Sequence, residues 1–492
     1  MSVSKDFLPI AGASGQTGDT TYSIPQSIRF NALDNPYLSK TFASKGSPKK
    51  FSLSWWTKLS FRTINATSES QMFFIAYHSS GYQTDFSIQS AARASGVVHT
   101  FRTYSTTTGG AACWDLRTSQ LFRDPTAWYH FVVVSDTDND IASNRFRLFI
   151  NGLRVTDFGS ATYPSSGVEP VWNNSTSVTH YIGSRGGNTN TRFDGYMTEI
   201  NHIDGYDYGP EYYGEFNSNG IWIPKRYSGS YGTNGFYITG SDSSNLGKNE
   251  ATANTFGAFA SSGLAAHDQV TDTPTDNFCT LNPLDERGSG ILSNGDLRYA
   301  GVATYDNVTG TIGMSSGKWY WEVYIEDEDY AYLGVQDGGV SATGYAEKAV
   351  ALVVGDTAAT IHLDDSNSGN DAFISNNGDI VGVAVDIDNQ LIWWSKNGQW
   401  YRANQASGAT IDQSEVEAGN QGFDFSSRSP STGFFVPFIG NYTHATTIIN
   451  FGQEGTFAGN VTAGNNTDGD GNGNFKYSVP SGFKALRTKN LF

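Results

Sequence analysis

The sequence predicts an all-β protein built from two antiparallel β-sandwich (jelly-roll) domains joined by a long irregular connector. With 492 residues, the chain exceeds the roughly 250 to 300 residues at which a single hydrophobic core stops growing. Its 55 glycines, 14 prolines and 14% aromatic residues, against 16% charged residues, favour short strands and tight turns over amphipathic helices. Runs of alternating apolar and polar residues recur in both halves, so each half is predicted to form its own sandwich.

The clearest strand of the first half is the run KKFSLSWWTKLSFR. Its large apolar side chains alternate with small or polar ones, as in a strand with one buried face; they are Phe51, Leu53, Trp55, Leu59 and Phe61. Further strands are predicted at 71–77, 127–134, 144–155 and 195–203. The Asn151-Gly152 pair inside 144–155 suits a type I′ turn, so this run is predicted to fold as a hairpin.

The second half repeats this pattern from the run SSGKWYWEVYI onward. Apolar side chains share one face of its predicted strand; they are Trp319, Trp321, Val323 and Ile325. Other strands are predicted at 330–335, 379–402, 434–440 and 445–452. Turns are expected at 388–390 and 397–398, because these positions carry Asp, Asn and Gly.

The boundary between the halves is predicted at Asp268–Asp285. Pro274 and Pro283 prevent this stretch from forming a central strand or a helix. The predicted domains are a polar arm at 1–24, flexible or docked on a partner, a sandwich at 25–209, an aromatic, glycine-rich connector at 210–287, and a second sandwich at 288–492 with a Gly/Asn-rich insertion near 455–475.

The order of several short strings resembles known families. WYHFVVVSD, RLFINGLRV, HYIGSRGG and FDGYMTEINHIDG resemble the laminin-G-like, concanavalin A-like jelly rolls found in bacteriophage tail and virion proteins. YGEF, GIWIPK, SYGTNGFY and DQVTDTPTDNF resemble the connector of phage proteins that pair a laminin-G-like domain with a SPRY domain. GKWYWEV, YLGV, GVAVDIDNQLIWWSKNG, FVPFIG and INFG resemble the SPRY domain itself, a bent antiparallel sandwich used for protein recognition.

Composition and charge argue against several classes of function. A net charge of -17 disfavours nucleic acid as a partner, since phosphate binding needs a basic surface. The sequence has no apolar window long enough for membrane insertion, and its first residues lack the basic and apolar regions of a signal peptide. Cys113 and Cys279 lie in different parts of the chain, which argues against a disulfide framework and for synthesis in a reducing cytoplasm.

The sequence shows no catalytic pattern, so the protein is not expected to be an enzyme. Glucanases of the concanavalin A-like fold carry their acids as E-x-D-x-E on one strand, whereas the acidic run from Glu322 to Asp329 has another spacing. Glu199 in the first sandwich has no carboxylate partner at that spacing. Histidine metal motifs, a G-x-S-x-G elbow and a phosphate-binding loop are also missing. A glucanase-like enzyme that degrades polysaccharide is the alternative left open.

Two acidic loops are candidates for calcium, which is the one cofactor that the sequence suggests. Alternating acidic and amide side chains supply the oxygen ligands that calcium prefers. The candidate ligands are Asp136, Asp138 and Asp140 in the first loop and Asp468, Asp470 and Asn472 in the second. The twelfth position of the second loop is Val479, where a bidentate Glu is required. An ordinary polar turn is the alternative for both loops.

Candidate binding residues are aromatic or acidic side chains in predicted loops. Aromatic faces stack on sugar rings, and the loops at one end of a SPRY-like sandwich form its recognition surface. The candidates are Tyr82, Trp114 and Trp172 for a glycan, and Asp327, Asp329 and Tyr330 for a protein. Packing into a core is the alternative for each of the three glycan candidates.

The resemblance implies a bacteriophage virion structural protein, from a tail fibre, tail tip or head appendage, that presents sandwich loops to a host-surface glycan or protein. Weak sites repeated over a particle gain affinity through multivalency. Its other expected partners are virion proteins and copies of itself, with a trimer as the default. It is expected in the virion after synthesis in the bacterial host cytoplasm. A capsid decoration or tail structural protein that binds only virion proteins is the alternative.

Overall fold

The computed structural model describes residues 22–60, 70–93, 96–251, 256–303, 305–338, 346–355, 360–405 and 408–491. The described residues form two compact units, one ending at Thr275 and the other beginning at Asp276. Both are built from mainly antiparallel sheets, which confirms the predicted all-β fold. Most of the predicted arm at 1–24 lies outside the described residues. Within the described ranges, every helix is too short or too polar to cross a membrane.

The first unit is a sandwich of two large sheets. Its strands are β1 (Ser27–Phe30), β2 (Tyr37–Thr41), β3 (Lys50–Leu59), β4 (Ser70–Tyr77), β5 (Gln83–Arg93), β6 (Gly96–Thr106), β7 (Ala112–Leu121), β8 (Trp128–Asp136), β9 (Phe146–Ile150), β10 (Leu153–Arg154), β11 (Phe158–Thr162), β12 (Thr179–Ile182), β13 (Gly195–Asp204), β14 (Gly214–Phe216), β15 (Trp222–Pro224), β16 (Phe236–Ile238), β17 (Ala260–Ser262) and β18 (Gln269–Val270). Short 3-10 turns lie at Ala32–Asp34, Ala142–Asn144, Thr189–Thr191, Pro210–Tyr212 and Ala266–Asp268.

The order of strands in one sheet is β10-β9-β8-β3-β13-β1-β18, and β16 also pairs with β13. The order in the other is β11-β7-β6-β5-β4-β12-β2-β17, while β14 and β15 pair with each other. The strands predicted at 71–77, 127–134 and 195–203 correspond to β4, β8 and β13. The predicted hairpin is also confirmed, because Asn151 and Gly152 have positive φ and β9 pairs with β10.

The core of the first unit lies between its large sheets, because alternate residues of each strand face inward. Phe51, Leu53 and Trp55 of β3 are fully buried, as their spacing predicts. The opposite face of β3, predicted to be exposed, is buried as well, and the predicted Phe61 lies outside the described residues. The ring centroid of Trp55 lies 4.8 Å from that of Phe74 in the opposite sheet and 5.2 Å from that of Phe131 in β8. β3 therefore anchors the sheet from which the surface described below is built.

The second unit is also built from two sheets. Its strands are β19 (Ile291–Ser293), β20 (Arg298–Ala300), β21 (Asn307–Thr309), β22 (Lys318–Asp327), β23 (Ala331–Asp337), β24 (Ala349–Val354), β25 (Thr360–Leu363), β26 (Ser366–Asp371), β27 (Ile380–Asp386), β28 (Leu391–Lys396), β29 (Gln399–Tyr401), β30 (Thr410–Ile411), β31 (Phe423–Asp424), β32 (Phe435–Asn441), β33 (Thr446–Asn450) and β34 (Lys484–Ala485). A short helix, α1 (Gln413–Glu417), and a 3-10 turn at Thr488–Asn490 complete the described elements.

One sheet of the second unit has the order β19-β20-β33-β22-β27-β28-β29-β30, with β31 on β28 and β34 parallel to β22. The other has the order β21-β32-β23-β24-β25-β26. The inward face of β22 is the one that the sequence predicts, since Trp321 and Val323 lie in the main core cluster with Leu333 of β23. The indole nitrogen of Trp394 in β28 donates to the Leu333 carbonyl oxygen at 2.9 Å.

The stretch 210–287, predicted as a connector, is divided between the two units. Its first part adds strands to both sheets of the first unit, because β16 pairs with β13, β17 with β2 and β18 with β1. Phe236 and Ile238 of β16 enter the core of that unit. Further on, Phe278 forms a bridge with Arg487 inside the second unit. The stretch is therefore not a separate linker: its first part belongs to the first sandwich and its last part to the second.

Candidate functional site

A row of tyrosines follows β13 on the surface of the first unit. The rings of Tyr206 and Tyr208 are nearly parallel, with centroids 5.2 Å apart and 13° between their planes. The rings of Tyr208 and Tyr212 have centroids 4.1 Å apart and an interplanar angle of 21°. Tyr206 is 40% exposed and Tyr212 is 42% exposed, so the two outer rings are open to solvent. These three residues are called the tyrosine stack below.

The backbone under the tyrosine stack is held by neighbouring strands. The hydroxyl oxygen of buried Ser52, in β3, accepts the Tyr208 N–H at 2.9 Å and donates its own proton to the Tyr206 carbonyl oxygen at 2.8 Å. Arg147 of β9 donates to the carboxylate of Asp207 at 3.2 Å and to its carbonyl oxygen at 3.3 Å. Because these bonds already fix the turn, a bound molecule need not order it, which lowers the entropic cost of binding.

A cleft of about 840 Å³ opens beside Tyr206 and is called the lysine cleft below. Its charged lining residues are Lys45, Lys49, Lys50, Asp138, Glu169 and Asp204. The ammonium nitrogen of Lys45 lies 2.8 Å from Glu169, and that of Lys49 lies 3.1 Å from Asp138. Solvent reaches these pairs, and exposed ion pairs contribute only about 0–1 kcal/mol. Their donors and acceptors are therefore available for exchange with a polar ligand.

A second cleft, of about 470 Å³, lies at the other end of the tyrosine stack and is called the Tyr212 cleft. It is lined by Tyr208, Glu211, Tyr212, Lys225, Arg226 and Tyr227, among others. The Lys225 ammonium donates to the Glu211 carbonyl oxygen at 3.3 Å and lies 3.8 Å from the Glu215 carboxylate. Desolvation and the neighbouring tyrosines raise the pKa of Tyr208, so its hydroxyl stays a neutral donor and acceptor at physiological pH.

The sequence interpretation missed the tyrosine stack, because it assigned YGPEYYGEF to an irregular connector. A usable signal was present in Tyr-Asp-Tyr at 206–208, directly after a strong strand. Residues two apart in an extended segment point to the same side, so this pattern could have predicted two neighbouring rings there. The position of Tyr212 could not be found in this way, because it follows the 3-10 turn at Pro210–Tyr212.

The prediction that Trp114 and Trp172 are displayed on surface loops is wrong. Trp114 lies in β7 with its ring 0% exposed, because it shares the inward parity of that strand with Leu116. Trp172 follows a turn but points inward and is 1% exposed, with its ring centroid 5.7 Å from that of Phe86. Tyr82 is half-buried and stacks on His78 at 4.2 Å.

Two histidines that lie within strands of the first unit are hydrogen-bonded inside it. The Ser54 hydroxyl lies 2.9 Å from Nε2 of His130, and burial lowers the pKa of this imidazole to about 3. Nε2 of His202 accepts the indole N–H of Trp172 at 3.0 Å, so this ring is neutral. Burial lowers the pKa of His202 as well.

The predicted recognition loop of the second unit lies beside two more surface tyrosines. The ring centroid of Tyr330 lies 6.2 Å from that of Tyr442, which in turn lies 5.8 Å from that of Tyr305. Both contacts are edge-to-face, and Tyr305 and Tyr442 are exposed. These three residues are called the tyrosine cluster. Asp329 lies 3.8 Å from His444 next to the cluster, while Asp327 is exposed at the end of β22.

The first acidic loop is a polar turn held by lysines. The carboxylate of Asp136 lies 3.6 Å from the ammonium of Lys50, and that of Asp138 lies 3.1 Å from the ammonium of Lys49. Asp140 is exposed. The loop is therefore an ordinary polar turn, because the carboxylates of Asp136 and Asp138 are paired with lysines.

The second acidic loop is organised by one buried carboxylate. Oδ1 of Asp468 accepts the backbone N–H groups of Asp470 and Asn472 at 3.1 and 2.9 Å, and its Oδ2 accepts that of Ala485 at 3.1 Å. The Asp470 carboxylate lies 3.0 Å from the ammonium of Lys484. The second acidic loop is therefore also a polar turn. In the part of the chain that the structure describes, no group of three His, Cys, Asp or Glu side chains could hold a metal ion.

Glu199 and Glu322 are each held by hydrogen bonds within their own unit. The Tyr237 hydroxyl donates to buried Glu199 at 2.6 Å, and burial raises the pKa of this carboxyl. Glu322 accepts the backbone N–H groups of Lys476 and Tyr477, each at 2.8 Å, and burial raises its pKa to about 7. Both carboxyls therefore join segments of the fold.

Residues 35–204 match the family model of the concanavalin A-like lectin/glucanases superfamily. The first unit therefore contains a concanavalin A-like domain, which confirms the laminin-G-like resemblance of this part of the sequence. A search of curated proteins finds no match to the chain.

Several solved structures are similar to parts of the chain. The SPRY domain of human HERC1 aligns with 14% identity and a TM-score of 0.27, covering 34% of this chain and 96% of that one. The native heptameric SAP-like pentraxin from Limulus polyphemus aligns with 13% identity and a TM-score of 0.26, covering 37% of this chain and 78% of that one. The TRIM65 PSpry domain aligns with 13% identity and a TM-score of 0.23, covering 35% of this chain and 92% of that one.

Proposed function

We propose that this chain is a bacteriophage virion structural protein, from a tail fibre, tail tip or head appendage, whose first unit binds a host-surface glycan. The observation that carries the glycan part is the tyrosine stack between two polar clefts. Aromatic faces pack against the C–H faces of sugar rings, while neighbouring polar groups bond to the hydroxyls. The stack combines both features on a backbone that is already ordered. The protein acts by binding and not by catalysis.

The virion part of the proposal rests on the order of the sequence strings that resemble phage proteins. In this setting, the partners are other virion proteins and copies of the chain, with a trimer as the default. The protein is made in the bacterial host cytoplasm and functions in the particle. Repetition of a weak glycan site over one particle raises its effective affinity by multivalency.

The tyrosine cluster of the second unit supports a protein partner for that unit. Tyrosine side chains are common in protein recognition surfaces, since the ring supplies contact area and its hydroxyl a hydrogen bond. Here Tyr305 and Tyr442 stand beside the Asp329–His444 pair. Because the second half resembles the SPRY domain, we propose these exposed rings and the neighbouring Asp329 and His444 side chains as its recognition surface.

A glycan array tests the proposed binding. The full chain should bind a discrete set of bacterial surface glycans, and Tyr208→Ala should abolish the signal because the middle ring supports both outer rings. Tyr442→Ala is the matched control, since it removes an exposed tyrosine of the second unit and should leave the signal unchanged. Thermal unfolding of each variant checks that the fold persists. A folded wild-type chain that binds no glycan on the array would refute the proposal.

Mass spectrometry of purified phage particles tests the virion assignment separately. The chain should be found in the particles at a stoichiometry that fits an appendage. If particles lack it while infected cells contain it, the virion assignment is wrong, whatever the array shows.

A further inference from the structure

We infer that the tyrosine stack binds an uncharged, linear oligosaccharide that crosses the stack and occupies the lysine cleft and the Tyr212 cleft together. This inference rests on the proposed glycan binding and specifies the class of glycan. It excludes a terminal monosaccharide as the main ligand, and it excludes a polyanionic chain.

The length of the ligand follows from the positions of the two clefts. Tyr206 lines the lysine cleft, whereas Tyr208 and Tyr212 line the Tyr212 cleft. The two clefts thus adjoin opposite ends of a single row of rings. Each has a volume typical of a small-molecule site, roughly 300–1,000 Å³. A single sugar fills only one of them, while a chain laid over the stack reaches both and contacts both exposed outer rings.

The charge of the ligand follows from the balance of charges around the stack. The three lysines and three carboxyl residues of the lysine cleft are equal in number. At the Tyr212 cleft, the cations are Lys225 and Arg226, and the acids are Glu211 in the lining and Glu215, whose carboxylate lies 3.8 Å from the Lys225 ammonium. A polyanion or polycation would meet as many repulsive as attractive groups. Sugar hydroxyls both donate and accept hydrogen bonds, so they can bond to the ammonium and carboxylate of one ion pair at once.

The backbone that carries Tyr206 and Tyr208 is ordered before binding. Ser52 bonds to the backbone of both Tyr206 and Tyr208, and Asp207 between them is bonded to Arg147. The Tyr206 end of the stack is therefore held in place before a ligand binds. A ligand that reaches both outer rings must be a chain long enough to span all three.

The test uses calorimetry of the full chain with fragments of the glycan that binds most strongly on the array. The fragments are prepared by partial acid hydrolysis and separated by size. We expect affinity to rise at least tenfold between the disaccharide and the hexasaccharide. Tyr206→Ala and Tyr212→Ala should each weaken hexasaccharide binding, whereas only one of them should weaken disaccharide binding. Tyr442→Ala is the control and should change neither.

A second arm tests the charge. The same hexasaccharide, with its primary hydroxyls oxidised to carboxylates, should bind at least fivefold more weakly. Equal affinity for disaccharide and hexasaccharide, or tighter binding of the oxidised chain, would overturn this inference while leaving glycan binding intact. If the folded tyrosine variants bind the hexasaccharide as tightly as the wild type does, the proposed site itself is wrong.

Discussion

The tyrosine stack of the first unit and the tyrosine cluster of the second unit are built from the same residue type but offer different surfaces. In the stack, Tyr206, Tyr208 and Tyr212 lie nearly parallel. In the cluster, Tyr305 and Tyr442 meet at 74°, edge to face. The stack therefore presents the flat outer faces of its terminal rings to a ligand. The cluster presents ring edges and hydroxyl groups.

The difference shows that the backbone, and not the residue type, decides what an exposed tyrosine can bind. The stack follows one strand, and its first two rings are two residues apart in sequence. The cluster collects its tyrosines from three separate loops, at positions 305, 330 and 442. Flat faces beside balanced clefts suit a sugar chain, while mixed edges beside the Asp329–His444 pair suit the irregular surface of a protein.

The largest expected effect is the loss of glycan binding when both outer rings of the stack are removed. The double variant Tyr206→Ala/Tyr212→Ala should bind about 100-fold more weakly, because each stacked ring contributes about 1.4 kcal/mol, or about tenfold. Calorimetry with the hexasaccharide measures this. Tyr305→Ala/Tyr442→Ala is the matched pair in the second unit and should bind normally. Equal losses in the two double variants would erase the distinction between the surfaces.

Ser52→Ala tests whether the stack is held rigid by β3. The substitution removes the hydroxyl of fully buried Ser52 and both of its hydrogen bonds to the stack, so the free energy of unfolding should fall by about 1–3 kcal/mol. Glycan affinity should also fall, because the rings lose their fixed spacing. Urea denaturation gives the first quantity and calorimetry the second. Ser166→Ala, an exposed serine of the same unit, is the control. Unchanged affinity in a destabilised Ser52→Ala protein would show that rigidity is unnecessary.

The pH dependence of stability should reveal the buried carboxyl of the second unit. Glu322 has a pKa raised by burial to about 7 in the folded protein, above its ordinary value of 4.5. The folded state therefore binds more protons between these values, and this stabilising contribution is complete below about pH 4.5 and is lost as pH rises through 7. Glu322→Gln should remove most of this pH-dependent loss of stability, which is expected to be about 3 kcal/mol.

Amide hydrogen exchange at Lys476 and Tyr477, whose N–H groups bond to Glu322, reports this effect through unfolding, because a less stable fold opens more often. The wild type should exchange relatively faster there at pH 8 than at pH 5, after correction for intrinsic rates. Asp327→Asn, an exposed acid on the same strand, should behave as the wild type does. If the stability of Glu322→Gln depends on pH as strongly as that of the wild type, groups other than Glu322 cause the dependence.

The smallest effect is expected at the tyrosine cluster. The Thr443 hydroxyl donates to the Asp329 carbonyl oxygen at 2.7 Å and joins two of its loops. Because this bond is partly open to water, Thr443→Val should lower the free energy of unfolding by only about 0.5–1 kcal/mol, less than Ser52→Ala does. Urea denaturation compares the two. If Thr443→Val lowers the free energy of unfolding more than Ser52→Ala does, the tyrosine cluster is held more firmly than the tyrosine stack, contrary to our account.

The sequence predicted the strands and their buried faces well, because alternation depends only on neighbouring residues. β3 and β22 follow the predicted parity from Phe51 and from Trp321 onward. Composition was misleading at Trp114, where a glycine-rich neighbourhood suggested a loop although the residue continues the inward parity of β7. Parity was available there but was given less weight than composition.

The site was harder to predict, because it depends on contacts between residues distant in sequence. Ser52 lies far from Tyr208 in the chain, and only the pairing of β3 with β13 brings it under the stack. The lysine cleft likewise joins residues near position 45 with others near 169 and 204. The two acidic loops show the opposite case, since their composition suggested calcium while lysines and backbone N–H groups already bond to them.

The central claim is that the tyrosine stack holds a glycan chain, and a crystal structure of the protein with the bound hexasaccharide tests it most directly. Our account predicts sugar rings against the outer faces of Tyr206 and Tyr212, with hydroxyls bonded in both clefts. Density for the sugar at the tyrosine cluster, or elsewhere on the first unit with both outer rings uncovered, would contradict it.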